Sequence, residues 1–203
     1  MKLKPDAILF DMDGVLVDSL DSWWSSLNAS LQKFNHKKIT REEFIEKYWG
    51  HDLYDNLDKM GLHREVGTFC NTVYSEHLGA IKLYTDTKNV LQKLNYYKKG
   101  VITNTPKDCA CQILKRFDID KFFDIVVTSD EVAKAKPYPD IVLKACKFLG
   151  VTPERVVLVG DTDSDVKAGG ASGCKVIGIN IKADYTINKL SQLTNLIKLN
   201  RDV

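Results

Sequence analysis

Short runs of nearly continuous apolar residues recur along the chain and predict buried β-strands. Five of them stand out, namely "AILFD", "GVITNT", "FDIVVTSD", "RVVLVGD" and "CKVIGIN", and β-branched residues are frequent in them, as is typical of strands. These runs are apolar at successive rather than alternate positions, which favours strands covered on both faces. We therefore expect a sheet buried between two layers of helices.

Helical patterns separate these strands. The stretch "PKDCACQILKRF" begins at Pro106, a residue suited to the first position of a helix, and "PDIVLKACKFLG" ends at Gly150, a residue suited to a helix C-terminus. Strands that alternate with helices form parallel sheets. The sequence therefore predicts an α/β fold whose core is a Rossmann-like parallel sheet with helices on both faces.

One region, residues 17–82, lacks this alternation. Apolar residues recur through it at helical spacing, "TREEF" from Thr40 is typical of a capping box, and "LYDNLDKMGL" stops at Gly61. It shows no strand pattern, and a crossover between parallel strands usually needs one helix. We therefore predict an all-helical cap at 17–82, inserted after the first strand, and a core formed by 1–16 and 83–203.

Polar residues stand where the predicted strands end. In chain order they are Asp11 and Asp13 after the first strand, Thr103 and Asn104 after the second, and Asp161 after the fourth. The carboxyl ends of parallel strands share one edge of the sheet, where ligands bind in open α/β folds. Carboxylates held close together repel each other, so their convergence indicates a bound cation or a reaction.

A lysine completes this set. Lys136 lies in "AKAKPYPD", between the third predicted strand and the next helix, and Pro137 follows it directly. Oxygen ligands suit a hard divalent cation, and a cation together with Lys136 would neutralise a phosphate. One carboxylate could then attack phosphorus and form an aspartyl phosphate. The pattern predicts phosphoryl transfer.

The same residues carry a family resemblance. The stretches "DMDGVLVDS", "VITNT", "AKPYPD" and "VGDTDSD" resemble, in this order, the four motifs of the haloacid dehalogenase superfamily, in its phosphatase branch of phosphoglycolate phosphatase-like and β-phosphoglucomutase-like members. The helical insert resembles the C1 cap of that superfamily. The stretch "ADYTINKLSQL" resembles the usual end of such proteins.

The resemblance implies roles for the residues around the first and fourth motifs. Asp11 would be the nucleophile, while Asp13 would protonate the leaving oxygen and then deprotonate the water that cleaves the aspartyl phosphate. Mg²⁺ would be held by the Asp11 carboxylate, the Asp13 backbone carbonyl and Asp161, and Mn²⁺ suits such an oxygen site as well. Gly14 would permit the tight turn after the two acids.

The second and third motifs imply roles in substrate binding. Thr103 would donate a hydrogen bond to the phosphoryl group, with Asn104 beside it, and Lys136 would bridge Asp11 and the phosphate. Asp165 would orient Lys136 or a metal-bound water. In the cap, the residues expected near the substrate are Tyr48, Trp49, His51 and Asp52.

Alternatives to hydrolysis stay open within this resemblance. Sugar phosphomutases typically carry an acidic residue before the metal aspartate, where this chain has Gly160, and a cap arginine, which "YWGHDLYDNL" lacks. A receiver-like signalling module also collects aspartates, a threonine and a lysine at strand ends, but it has no such insert and stores its phosphate. Dehalogenases lack the second aspartate. We therefore predict Mg²⁺-dependent hydrolysis of a small phosphorylated metabolite, of which phosphoglycolate is the family's best-known example.

Composition and charge mainly exclude other classes. The 203 residues carry a net charge of +2 with 44% hydrophobic residues and no dense basic block, so nucleic acid is not an expected partner. No apolar stretch approaches the length of a membrane span. The five cysteines are odd in number and scattered, and no signal-peptide pattern is visible. We expect reduced thiols and a cytoplasmic monomer or homodimer.

Overall fold

The fold is built around a parallel sheet, as the sequence predicts. The computed structural model describes residues 2–198. The predicted core also includes residue 1 and residues 199–203, which lie outside the described residues. The strands are β1 (Ala7–Phe10), β2 (Val17–Asp18), β3 (Lys82–Leu83), β4 (Lys98–Thr103), β5 (Ile125–Thr128), β6 (Val156–Gly160), β7 (Lys175–Ile179) and β8 (Tyr185–Ile187). Within this part of the chain, six strands form one sheet in the order β5-β4-β1-β6-β7-β8, with all neighbours parallel.

The helices follow the predicted pattern closely. They are α1 (Leu20–Lys33), α2 (Arg41–Lys47), α3 (Leu53–Met60), α4 (Arg64–Glu76), α5 (Thr87–Lys93), α6 (Lys107–Arg116), α7 (Asp140–Leu149), α8 (Asp163–Ser172) and α9 (Leu193–Leu196). Helices α3 and α7 end at Gly61 and Gly150, whose φ angles of 69° and 64° are left-handed. Pro106 precedes the first helical residue instead of occupying it, because its ψ of 149° is extended.

The central strands bury both of their faces. Ile8 and Phe10 of β1 belong to a core shared with α5, α6 and α9, while Ala7 and Leu9 belong to a second core shared with α7 and α8. All four side chains are fully buried. Helices therefore cover the sheet on both sides, which confirms the predicted fold class.

Four helices, α1 to α4, lie between β2 and β3 and have a small core of their own. Its buried members are Leu27, Leu31, Phe44, Leu57, Val66 and Cys70. Strands β2 and β3 pair in antiparallel fashion where this segment leaves and rejoins the sheet. The prediction that 17–82 contains no strand is thus wrong at its ends, since a strand of two residues has no periodic signal.

The segment 17–82 also packs directly on the sheet. The rings of Trp23 in α1 and Tyr74 in α4 are stacked with centroids 3.8 Å apart, and Tyr74 is buried in the same core as Phe10. This packing brings the four helices over the edge of the sheet at which β1 ends. Among residues 2–198 no helix is long and apolar enough to cross a membrane.

Candidate active site

Asp11 lies directly after β1, at the middle of the sheet edge. Its backbone N–H donates to the carbonyl oxygen of Val159 in β6 (2.9 Å), which holds the end of the strand in line with the sheet. The residue is 4% exposed. Its Oδ1 accepts a hydrogen bond from the backbone N–H of Met12 at 2.7 Å and lies 2.8 Å from the Nζ of Lys136. The carboxylate expected to act as nucleophile is therefore buried and fixed.

Lys136 joins two carboxylates. Its Nζ lies 2.8 Å from Asp11 Oδ1 and 2.7 Å from Asp165 Oδ1. Burial opposes the charged form of Lys136, but Asp11 and Asp165 outweigh this effect and raise the pKa of the ammonium above its usual value. The structure thus brings together the three residues that the sequence placed in the first, third and fourth motifs.

The start of α8 fixes Asp165. This residue and Thr162 form a capping box, in which Asp165 Oδ2 accepts hydrogen bonds from the backbone N–H (3.1 Å) and the hydroxyl (2.7 Å) of Thr162. The other oxygen, Asp165 Oδ1, accepts a hydrogen bond from Lys136 Nζ. The structure therefore shows the contact with Lys136, and the role of Asp165 in orienting Lys136 or a metal-bound water stays a prediction.

Asp161 follows β6 and completes a group of three carboxylates. Oxygen atoms of Asp11, Asp161 and Asp165 lie within 4.8 Å of one another. Asp161 Oδ2 accepts a hydrogen bond from Trp49 Nε1 at 3.3 Å, whereas its buried Oδ1 has no hydrogen-bond partner. Hard divalent cations prefer such carboxylate oxygens. The orphaned Oδ1 and the two adjacent carboxylates therefore fit a metal such as Mg²⁺.

The charges of this group also indicate a cation. Burial, together with the nearby charge of Asp165, raises the pKa of Asp161 to about 7. Burial likewise raises the pKa of Asp11 well above its usual value, although Lys136 opposes the shift. Carboxylates that are costly to ionise in isolation become stable as anions beside a divalent cation.

Asp13 is held apart from this group by three hydroxyl groups. Its Oδ2 accepts hydrogen bonds from Thr103 Oγ1 (3.1 Å) and Thr105 Oγ1 (2.7 Å), and its Oδ1 accepts one from the hydroxyl of Ser19. The resemblance implies that the Thr103 hydroxyl donates a hydrogen bond to a phosphoryl group. In the structure it donates to Asp13 instead. Sequence reasoning missed Thr105 and Ser19; a second hydroxyl in "TNT" is the signal that could have indicated the former.

Asn104 positions the backbone of Lys136. Its Oδ1 accepts a hydrogen bond from the Lys136 N–H (3.1 Å) and its Nδ2 donates to the Lys136 carbonyl (2.9 Å). The same Nδ2 donates to the carbonyl oxygen of Gly50 in the cap, at 3.4 Å. Asn104 therefore links the end of β4 with the lysine segment and with the cap.

Gly14 is required for two reasons. Its φ of 78° is left-handed, and a Cβ at this position would lie 2.1 Å from Asp161 Oδ2. The first reason is the predicted tight turn. The second, the close approach of Asp161, depends on the tertiary structure and was not visible in the sequence.

A cleft of about 60 Å³ opens between these residues and the cap. Of the four cap residues expected near the substrate, Tyr48, Trp49 and His51 line it. Asp52 does not, because its carboxylate caps α3 by accepting from the N–H groups of Tyr54 (2.9 Å) and Asp55 (3.3 Å). The arrangement offers the buried carboxylate of Asp11, the carboxylate of Asp13 and the ammonium of Lys136 to a small ligand.

Known proteins resemble this chain in sequence and in fold. It is 27% identical to pyrophosphatase PpaX of Bacillus cereus (strain AH820) over 211 residues, which cover 96% of this chain and 97% of that protein. A HAD phosphatase from Thermococcus onnurineus is 28% identical with a TM-score of 0.68, covering 96% of this chain and 97% of the other. β-Phosphoglucomutase from Clostridium difficile, 21% identical with a TM-score of 0.83 and coverages of 94% and 93%, shows the same fold.

These relatives confirm the prediction of a phosphatase enzyme at the level of the family. The family model of haloacid dehalogenase-like hydrolases matches residues 8–179, a range that includes all four quoted motifs and the helical insert. The chain belongs to the family of haloacid dehalogenase-like hydrolases.

Proposed function

We propose that this protein hydrolyses a small phosphomonoester with Mg²⁺, through an aspartyl phosphate on Asp11. The observation that supports this most is the chain of contacts from Asp11 to Lys136 to Asp165, at 2.8 and 2.7 Å, beside a separately held Asp13. Two carboxylates in different surroundings suit different tasks. Asp11 is buried next to an ammonium, whereas Asp13 is surrounded by hydroxyl groups.

In the first step, Asp11 attacks phosphorus. A bond forms between its carboxylate oxygen and phosphorus as the bond from phosphorus to the ester oxygen breaks, and Asp13 gives its proton to the leaving alkoxide. Lys136 keeps the nucleophile in place and offsets negative charge on the transferring group. The products of this step are the free alcohol and the aspartyl phosphate.

In the second step, water replaces the alcohol. Asp13, now ionised, takes a proton from the water while the water oxygen attacks phosphorus. The bond between phosphorus and the Asp11 carboxylate oxygen breaks. Inorganic phosphate and the free carboxylate of Asp11 result, and Asp13 is protonated again. One residue serves both steps because the leaving oxygen and the incoming water take the same position.

Mg²⁺ would be held by Asp11, Asp161 and the backbone carbonyl of Asp13, with Asp165 nearby. When bound, it would neutralise charge on the phosphate and on the carboxylates. Mn²⁺ has similar ligand preferences and is an equal candidate on these residues.

Two observations support hydrolysis over a sugar phosphomutase. A Cβ at Gly160 would lie 2.3 Å from the Cβ of Asp165, so an acidic side chain before Asp161 does not fit beside Asp165. In addition, the residues that line the cleft include no arginine to hold a second phosphate. Asp13 also argues against a receiver-like module. It lies two residues after Asp11, where it would act as an acid and base and speed the loss of phosphate, whereas a receiver stores its phosphate.

Phosphate release from a panel of small esters tests the proposal. The panel includes pyrophosphate, because the Bacillus relative is named a pyrophosphatase, and each substrate is assayed with Mg²⁺, with Mn²⁺ and with excess chelator. We expect phosphate release that depends on the metal and is abolished in Asp11→Asn. The control variant Asp163→Asn changes an exposed acid at the start of α8, and it should release phosphate at the unaltered rate.

Two results would overturn the proposal. One is phosphate release that persists in Asp11→Asn, which would show that Asp11 is not the nucleophile. The other is a stable phosphoryl group on Asp11 without release from any ester, which would favour the mutase or receiver alternative.

A further inference from the structure

The cap side of the cleft carries no positive charge. Among the described residues that line the cleft, Lys136 is the one lysine or arginine, and its ammonium is already bound between Asp11 and Asp165. His51 lines the cleft as well, but burial lowers its pKa, which favours the neutral imidazole. A carboxylate or second phosphate on the leaving group would meet no counter-charge here.

The wall of this side is mostly apolar around the amide of Asn56, and its other polar groups belong to Tyr48, Trp49 and His51. Leu27, Phe44 and Leu53 line it with side chains that suit a carbon skeleton. Asn56 lies among them and is 4% exposed. Its Nδ2 donates to the carbonyl oxygen of Tyr48 at 2.8 Å, which fixes the orientation of the amide.

The other end of that amide is unsatisfied. Asn56 Oδ1 is buried and accepts no hydrogen bond. Leaving a buried acceptor without a donor costs free energy, so such groups are rarely left unpaired without a reason. A ligand that brings a hydroxyl to this wall would remove the cost, whereas an anion would add repulsion from the amide oxygen.

We propose that the leaving group of the substrate is a neutral alcohol with at least one further hydroxyl group, which donates a hydrogen bond to Asn56 Oδ1. This inference rests on the proposed phosphatase function and specifies its substrate class. It disfavours phosphoglycolate and pyrophosphate, whose leaving groups are anionic.

Three esters with the same three-carbon skeleton test the proposal on the unaltered protein. They are glycerol 3-phosphate, propyl phosphate and 3-phosphoglycerate, compared by kcat/KM with Mg²⁺. We expect glycerol 3-phosphate to exceed propyl phosphate by about tenfold, the usual effect of one good hydrogen bond to a buried group. We expect 3-phosphoglycerate to be the slowest of the three because of its carboxylate.

A pair of variants tests the role of the amide. Asn56→Leu should remove the preference for glycerol 3-phosphate, measured as the ratio of its kcat/KM to that of propyl phosphate. Asn71→Leu is the matched control, because Asn71 Oδ1 is also buried without a partner but lies outside this cleft. It should keep the preference. If Asn56→Leu does not fold, the order of the three esters on the unaltered protein decides.

Each other outcome overturns a defined statement. Hydrolysis in which propyl phosphate or 3-phosphoglycerate equals or exceeds glycerol 3-phosphate, or a preference that survives in Asn56→Leu, overturns this inference alone. Folded protein that releases phosphate from no ester, whether or not Asp11 acquires phosphate, overturns the proposed function, and the inference with it.

Discussion

The indole Nε1 of Trp49 in the cap donates a hydrogen bond to the Oδ2 of Asp161 in the core, at 3.3 Å. The Trp49 ring also packs edge-on against Phe44, with centroids 6.1 Å apart. The next residue, Gly50, has a φ of 77°, and a Cβ there would lie 2.4 Å from a methyl carbon of Thr162. The loop after α2 is therefore closely packed on the end of β6, and it connects residues that line the cleft with a carboxylate of the candidate metal site.

Trp49→Phe should weaken this connection while keeping an aromatic ring against Phe44. A hydrogen bond to a charged group contributes about 1.5–3 kcal/mol, and Trp49→Phe removes this bond between the cap and the core. We expect KM for the preferred ester to rise about tenfold or more, measured by phosphate release over a range of substrate concentrations.

The control for this variant is Trp24→Phe. Trp24 Nε1 donates to the carbonyl oxygen of Ile39 at 3.1 Å, a contact within the cap itself. The same chemical change there should leave KM unaltered. An equal rise in KM for both variants would show that loss of cap stability, and not the bond from Trp49 to Asp161, is responsible.

Asp165→Asn should reduce kcat strongly. The side chain is fully buried and holds the Lys136 ammonium at 2.7 Å, so its neutral replacement lets Lys136 shift toward Asp11. A displacement of about 1 Å in a catalytic group can cost about 10²-fold in rate. Initial rates with Mg²⁺ at saturating substrate, together with a thermal unfolding curve, give the measurement.

Asp163→Asn provides the comparison for this change, because Asp163 belongs to the same helix turn and is exposed. Its kcat should stay near that of the unaltered protein. A kcat for Asp165→Asn within a factor of two of the control would remove Asp165 from any positioning role.

Much of the candidate site could be predicted because sequence order and strand polarity determine it. Asp11, Thr103 and Asp161 each end or follow a strand of one parallel sheet, so knowing the strands is enough to place them at one edge. The strands themselves were visible because burial on both faces requires continuous apolar runs. Strand β8 was missed, since its three residues begin with two exposed side chains.

Contacts that depend on how the cap meets the core could not be predicted. Nothing in the pattern around Trp49 indicates a bond to Asp161, and nothing around Ser19 indicates a bond to Asp13. These pairs are distant in sequence or lie in irregular segments. Their geometry results from packing, which hydrophobic periodicity does not encode.

Thr105→Val should lower kcat by disordering Asp13. The two side chains are nearly equal in size, but valine lacks the hydroxyl that donates to Asp13 Oδ2 at 2.7 Å. Loss of one such bond to a carboxylate corresponds to about 1.5–3 kcal/mol, of which part would appear as a fall in kcat of about tenfold. Thr72→Val, which removes a hydroxyl bonded within α4 on an exposed surface, should have no effect on kcat. Equal kcat values for the two variants would contradict a role for Thr105.

Gly14→Ala should abolish most activity for a reason that goes beyond backbone strain. Both Gly14 and Gly150 have left-handed φ angles, 78° and 64°, so an alanine at either costs about 1–2 kcal/mol of stability. At Gly150 a Cβ meets no atom within 4 Å, whereas at Gly14 it would lie 2.1 Å from Asp161 Oδ2. Gly14→Ala should therefore lose more thermal stability than Gly150→Ala, and it alone should lose activity, with a rise in the Mg²⁺ concentration needed for half-maximal rate. If Gly14→Ala has an unchanged rate and an unchanged Mg²⁺ requirement, the added methyl group does not disturb metal binding. The contact between Gly14 and Asp161 would then no longer support Asp161 as a metal ligand.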